Sequence, residues 1–226
     1  MSVKSNELTK IQIVRLLGEK SHYHILDIGT YDGKDARGIL DLLPSAEAHC
    51  FEADPRSQKL FRSIHPNSEV MNLYSVAIGN VDDMVTFHQS DSDTRRHEHN
   101  KSSWSASSSL KEPKEHLELF PEVEFKNSIK VRCYKLDTWY KNNLFPYTID
   151  FIWADVNGAE NDVISGGLNT LNKHTRFLYI EFSNKELYKD SIDKQGLLDM
   201  LPDFKVLGTY NYQGNFGNVL LKNKNL

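Results

Sequence analysis

The sequence predicts an α/β fold: a doubly wound, mostly parallel sheet with an antiparallel edge strand, in one domain spanning residues 1–226. Three observations predict it. Short apolar runs near residues 24–28, 47–52, 149–154 and 177–180 alternate with stretches of helical spacing, as parallel strands joined by helical crossovers would. The first run breaks into a glycine turn, Asp27-Ile28-Gly29-Thr30-Tyr31-Asp32-Gly33. Two last runs, 204–209 and 218–222, are joined by a loop over 210–217, which suits a closing strand pair.

The elements follow in order. Leu8, Ile11, Val14 and Leu17 recur at helical spacing behind Ser5, an N-cap candidate, and Gly18 closes this leading helix of residues 1–20. After the first strand, a short helix over 34–43 stops at Pro44. The strand at 47–52 runs into Asp54-Pro55, an N-cap followed by a first-turn proline, and a helix through Leu60 and Phe61 to Ile64. Residues 70–78 read as one third strand, and 84–88 as a further strand folded back as a hairpin after the Gly79-Asn80 and Asp82-Asp83 turns. Residues 89–112 are polar and serine-rich; a loop this long is either disordered or functional, here a mobile lid or acceptor loop. Structure resumes over 112–120, with a strand at 129–134 and a helical piece at 136–140. The strand at 149–154 ends at Asp155, and helix runs from Gly158 to the breaker Gly166-Gly167. The strand at 177–180 ends at Glu181, and a helix over 193–201 stops at Pro202. The final strand offers residues 218–221 as a pairing edge for a homo-oligomer.

Composition sets bounds. A length of 226 residues with 39% hydrophobic content supports one core, and a net charge of -4 gives no field to hold a nucleic acid. Cys50 and Cys133 lie within apolar runs and read as reduced core thiols. No apolar run approaches the roughly 18 residues of a membrane span. The polar start, Met1-Ser2-Val3-Lys4-Ser5-Asn6-Glu7, lacks a signal-peptide core, so a cytoplasmic protein is expected.

Four strand ends terminate in acids: Asp27, Glu52, Asp155 and Glu181. Any one of them could be a helix cap. Their recurrence points instead to one ligand crevice at the carboxyl edge of the sheet. A carboxylate after the second strand suits a ribose diol, and glycines after the first let backbone approach a ligand. The turn lacks the full G-x-G-x-x-G pattern and carries an acid two positions before its first glycine. That favours S-adenosyl-L-methionine, which has an ammonium and no pyrophosphate, over a nicotinamide cofactor.

Three segments resemble the FkbM family of S-adenosylmethionine-dependent methyltransferases: Leu26-Asp27-Ile28-Gly29 with Gly33, Phe51-Glu52-Ala53-Asp54-Pro55, and residues 149–160, whose Asp155-Val156-Asn157-Gly158-Ala159-Glu160 is similar to that family's Asp-Val-Glu-Gly-Ala-Glu. Val76-Ala77-Ile78-Gly79, Ser107-Ser108-Ser109-Leu110, Leu136-Asp137-Thr138 and Tyr179-Ile180-Glu181 support it, so the likeness covers about residues 24–182. The resemblance implies a Rossmann-like class I methyltransferase that moves a methyl group to a hydroxyl of a carbohydrate or other small polar acceptor. It implies that Asp27, Gly29, Thr30, Tyr31 and Gly33 shape the methionine end of the cofactor pocket. Glu52 and Ala53 would meet the ribose, Ser75, Val76 and Ala77 would border the adenine, and Asp155 would sit near the sulfonium.

Removing the hydroxyl proton needs a base, and Asp155 and Glu181 are the catalytic candidates. Glu160 could instead complement a helix dipole, and His97 and His99 join the candidates if the serine-rich loop folds over. His97-Glu98-His99 with Asp91 and Asp93 matches no metal-ligand spacing, and no third ligand joins Asp155 and Glu181, so no metal is expected. Arg95 and Arg96 read as a surface charge pair. Two departures stand out: Trp153, read as core, where the family commonly has Lys, and Asn157, where it has Glu. The alternatives are an NAD-dependent oxidoreductase and a catalytically silent nucleoside- or glycan-binding relative, which Asn157 keeps open.

Overall fold

The computed structural model describes residues 3–92 and 105–226, with side chains over 9–91 and 105–226. In chain order the elements are α1 (Val3–Leu17), β1 (Tyr23–Ile28), α2 (Lys34–Leu42), β2 (Ala46–Phe51), α3 (Pro55–Ile64), β3 (Met71–Tyr74), β4 (Ala77–Gly79) and β5 (Met84–Ser92). Then come α4 (His116–Leu119), β6 (Val123–Lys135), α5 (Leu136–Asn143), β7 (Ile149–Ala154), α6 (Glu160–Ser165), α7 (Leu168–His174), β8 (Thr175–Ser183), α8 (Lys194–Asp199), β9 (Phe204–Tyr210) and β10 (Phe216–Asn223).

Seven strands form the main sheet in the order β3-β2-β1-β7-β8-β10-β9. The first five are mutually parallel, and β10 runs antiparallel to β8 and β9. Strand order reverses between β1 and β7, which opens a crevice outside their carboxyl ends. Every residue of β1 and β7 is buried, as expected of central parallel strands covered on both faces. Alternation sends Ile25, Phe151, Trp153 and Tyr179 to the face covered by α1, α2 and α3. Leu26, Ile152, Leu178 and Ile180 go to the face covered by α5, α6, α7 and α8. Trp153 is core, as read from the sequence, with the Lys10 ammonium 5.9 Å from its ring centroid. Cys50 and Cys133 are free and buried.

Several expectations are corrected. Residues 70–78 are not one strand: β3 ends at Tyr74, and β4 joins a separate sheet of order β4-β6-β5. β5 is longer than expected and pairs antiparallel with β6, not back on its predecessor. α1 starts before Ser5, so Ser5 lies inside the helix, and it is Ile13, not Ile11, that is fully buried with Leu17. α7 follows the Gly166-Gly167 break, where no helix was read. Glu181 does not end its strand, because β8 continues to Ser183. The run 218–221 is no free edge, since β10 lies between β8 and β9. Asp54 does cap α3, accepting from the Arg56 N–H at 2.9 Å. Among the described residues, no helix is long and apolar enough to cross a membrane.

The far end of the sheet is held by a buried ion cluster. Asp150, fully buried in β7, accepts from Lys20 Nζ at 2.7 Å, Arg176 Nη1 at 2.8 Å and the His24 N–H at 3.1 Å. This joins α1's trailing loop to β1, β7 and β8. Asp150→Ala should lower unfolding stability by about 3 kcal/mol in urea denaturation. That is the low end for breaking a buried pair, because Lys20 and Arg176 keep access to water.

Candidate active site

The site begins where the β1 turn meets the end of β7. Gly29 has φ +86°, and a Cβ there would stand 1.8 Å from the Asp155 carbonyl oxygen. The Asp155 N–H donates to the Ile28 carbonyl at 3.0 Å, and the Gly29 and Thr30 N–H groups both donate to the Phe51 carbonyl at 3.0 Å. Three strand ends are thereby tied into one rim. Tyr31 follows in the left-handed region, φ 51°, and its N–H donates to Glu52 Oε2 at 3.0 Å. Glu52 Oε1 accepts from the Asp54 N–H at 2.7 Å. Burial pushes the Glu52 carboxyl up to about 8, against the pull of these backbone donors.

One pocket is walled by Gly29, Tyr31, Glu52, Ala53, Val76, Ala77 and Asp155 from the sequence-derived set. Ile28, Phe51, Ile78, Phe87, Val156, Asn157 and parts of residues 105–110 complete it, leaving a space of about 60 Å³. Asp27, Thr30, Gly33 and Ser75 are not in its walls. Asp27 is buried behind the turn, accepts from the Thr30 hydroxyl at 2.5 Å, and is pushed up to about 7 by burial. Gly33 starts α2 at φ +77°, where a Cβ would strike the Phe61 ring. Ser75 is exposed between β3 and β4, and its hydroxyl accepts from Arg62 at 3.1 Å.

A second cavity of about 450 Å³ adjoins the first and shares Ala106, Asp155 and Asn157 with it. Its walls include His116, Phe120, Tyr188 and Phe216, which no local pattern marked. They come from α4, the loop after β8 and the start of β10, and only tertiary packing assembles them. Three acids meet at the junction: carboxylate oxygens of Asp155, Glu160 and Glu181 all lie within 4.8 Å of one another. Glu181 reaches this level because β7 stops at Ala154, which is opposite Ile180. Glu160 opens α6 and accepts from the Val156 N–H at 3.0 Å. Burial raises all three pKa values above the usual carboxylate range, and the Asp155–Glu181 hydrogen bond pulls Asp155 back while raising Glu181 further. Of the three, Glu181 is the one that burial and its acidic neighbours push furthest toward protonation. Sequence reading found no third acid for a cation here; the fold supplies Glu160, so the trio could hold either a shared proton or a divalent ion.

The serine-rich segment divides into three parts. Residues 89–92 belong to β5, 105–110 pack over the first pocket, and 93–104 lie outside the described residues, together with Asp93, Arg95, Arg96, His97 and His99. Asn157, at φ 53°, anchors the packed part: its amide donates to the Ala106 carbonyl at 3.0 Å and the Ser108 carbonyl at 3.3 Å. Its own carbonyl accepts from the Ser109 hydroxyl at 2.7 Å. The Tyr188 hydroxyl adds a bond to the Ser107 carbonyl at 2.7 Å. An amide at position 157 can donate to these carbonyls, which an ionised carboxylate cannot do.

Residues 27–210 match the Methyltransferase FkbM domain. The 2-O-methyltransferase NoeI of Sinorhizobium fredii (strain NBRC 101917 / NGR234) is 42% identical over 215 residues, covering 95% of this chain and 85% of its own. Among solved structures, the N-methyltransferase NodS from Bradyrhizobium japonicum WM9 is similar with a TM-score of 0.52 and 10% identity, over 98% of both chains. The magnesium protoporphyrin IX methyltransferase ChlM from Synechocystis PCC 6803, with bound SAM, is similar with a TM-score of 0.51 and 8% identity, over 97% of this chain and 80% of that one. At such identities these two speak for the fold alone, a Rossmann-like methyltransferase fold. The likenesses do not favour an oxidoreductase or a silent binding relative. Taken with the reversed strand order at β1 and β7 and the acids gathered there, they make this chain a methyltransferase and a member of the FkbM family.

Proposed function

We propose that the protein transfers the methyl group of S-adenosyl-L-methionine to a hydroxyl of a carbohydrate or similar polar acceptor. The observation that carries this reading is the meeting of Asp155, Glu160 and Glu181 where the glycine-turn pocket opens into the larger cavity. The pocket residues fit the cofactor. Glu52 is buried at the strand end that suits a ribose diol, and Val76, Ile78, Phe87 and Leu110 give apolar walls for a flat heteroaromatic ring. Bound there, the cofactor supplies an electrophilic methyl group on a positive sulfur.

The chain's own residues then orient the acceptor and take its proton. Asp155 lines both cavities, so its carboxylate meets the acceptor hydroxyl and serves as the base. Glu181, neutral and hydrogen-bonded to Asp155, fixes that carboxylate and keeps the second negative charge off the pair. Phe120, Tyr188 and Phe216 offer ring faces to the C–H faces of a sugar, and His116 and Glu122 offer polar atoms to its hydroxyls. NoeI's name as a 2-O-methyltransferase supports oxygen as the receiving atom. Residues 105–110 wall the glycine-turn pocket, and Asn157 holds them in place through its bonds to the Ala106 and Ser108 carbonyls.

Labelled methyl transfer to a panel of oligosaccharides tests the reading; no transfer to any hydroxyl acceptor would overturn it. Asp155→Asn should lower kcat by about 10²-fold or more, the usual contribution of a positioned base. Because burial raises the Asp155 pKa and the base acts ionised, kcat should fall as pH drops, with a midpoint above the ordinary carboxylate value of about 4. Glu52→Ala should weaken S-adenosyl-L-methionine binding about tenfold, near 1.4 kcal/mol by calorimetry. Asn157→Ala should speed amide hydrogen exchange across residues 105–110.

A further inference from the structure

Three imidazoles converge on one carboxylate at the end of the sheet remote from the crevice. His22 and His24 flank Tyr23 at the start of β1, and Glu47 and His49 flank Ala48 in β2. Alternation puts the members of each pair on one face, and the parallel register sets His24 beside Glu47 and Leu26 beside His49. Glu47 Oε1 lies 2.7 Å from His24 Nδ1, 3.4 Å from His49 Nε2 and 3.7 Å from His22 Nε2. Yet His24 Nδ1 and His49 Nε2 are buried without a hydrogen-bond partner, so the oxygen sits close to each nitrogen but off its N–H direction.

That geometry can close around a shared ion with small side-chain shifts. With bonds of about 2.0–2.1 Å, ligand atoms around zinc stand about 3.4 Å apart, and each lies roughly 35° off its neighbour's lone-pair axis. Ligand atoms, one each from His22, His24 and Glu47, lie within 4.8 Å of one another, and His49 stands outside that set as a neighbour of Glu47. His49 Nδ1 is 3.3 Å from the Tyr74 hydroxyl, an outer contact that orients the ring. Imidazole nitrogens with one carboxylate form a borderline donor set, suited to zinc and not to magnesium or calcium.

We propose that His22, His24 and Glu47, with water in the fourth position, bind a divalent transition ion of the zinc type, which ties β1 to β2. His24 is four residues before the end of β1, roughly 13 Å from the crevice at about 3.3 Å per residue, so this site is separate from Asp155, Glu160 and Glu181.

The test uses tag-free full-length protein, stripped with a chelator and desalted, then titrated with ZnCl2 by calorimetry and with CoCl2 by visible absorption. One equivalent of zinc, the visible bands of four-coordinate cobalt and a raised thermal midpoint are expected. His22, whose side chain is 51% exposed, can be replaced without disturbing the fold. His22→Asn should weaken zinc binding at least about tenfold with an unchanged midpoint for the stripped protein. His24→Asn combined with Glu47→Gln should abolish the binding, and Asp155→Asn should leave it intact. The proposal is overturned if the parent binds no stoichiometric zinc, if His22→Asn binds as tightly as the parent, or if Asp155→Asn is the variant that loses the ion.

Discussion

The contact between the β1 turn and the end of β7 governs the site. Backbone there approaches backbone so closely that position 29 has no room for a side chain, because a Cβ would lie 1.8 Å from the Asp155 oxygen. With the Ile28 and Phe51 carbonyls bonded across the rim, Glu52 and Asp155 end up walling one pocket. The direction of the chain after each strand then decides which carboxyl lines the pocket and which, like Asp27, supports the turn from behind. A wider approach would separate these acids and leave surface loops in place of a crevice.

Concentrating acids at one rim has an electrostatic cost, and the protein handles it in two ways. At the far end of the sheet, buried Asp150 stays among Lys20, Arg176 and a backbone N–H, so its charge is matched where it lies. At the crevice, burial and mutual repulsion among Asp155, Glu160 and Glu181 drive them toward protonation. The first arrangement gives rigidity. The second leaves carboxyl groups whose pKa values are raised above the usual carboxylate range.

Asn157 shows how one departure from the family pattern is absorbed. Its left-handed backbone lets it project back toward residues 105–110, and its amide donates to two of their carbonyls. Residues 105–110 are consequently part of the pocket wall, with Tyr188 bonding them from the side of the larger cavity. Position 157 therefore couples the two cavities through the segment that lies between them.

The strands around Asp27, Glu52 and Asp155, the cap at Asp54 and the core placement of Trp153 were legible in the sequence by itself. Apolar runs, turn glycines and N-cap residues act over a few neighbours, so their signals are local. The resemblance carried the family and its chemistry. Tertiary structure decided the rest. The break at Ser75 that sends β4 to another sheet interrupts no apolar pattern, and Glu181 reaches Asp155 only because β7 is shorter than β8. Likewise Glu160 completes the acid trio, and His24 meets Glu47, through strand pairing and loop placement. These depend on contacts between residues far apart in the chain, and such contacts exist only once the sheet has chosen its register.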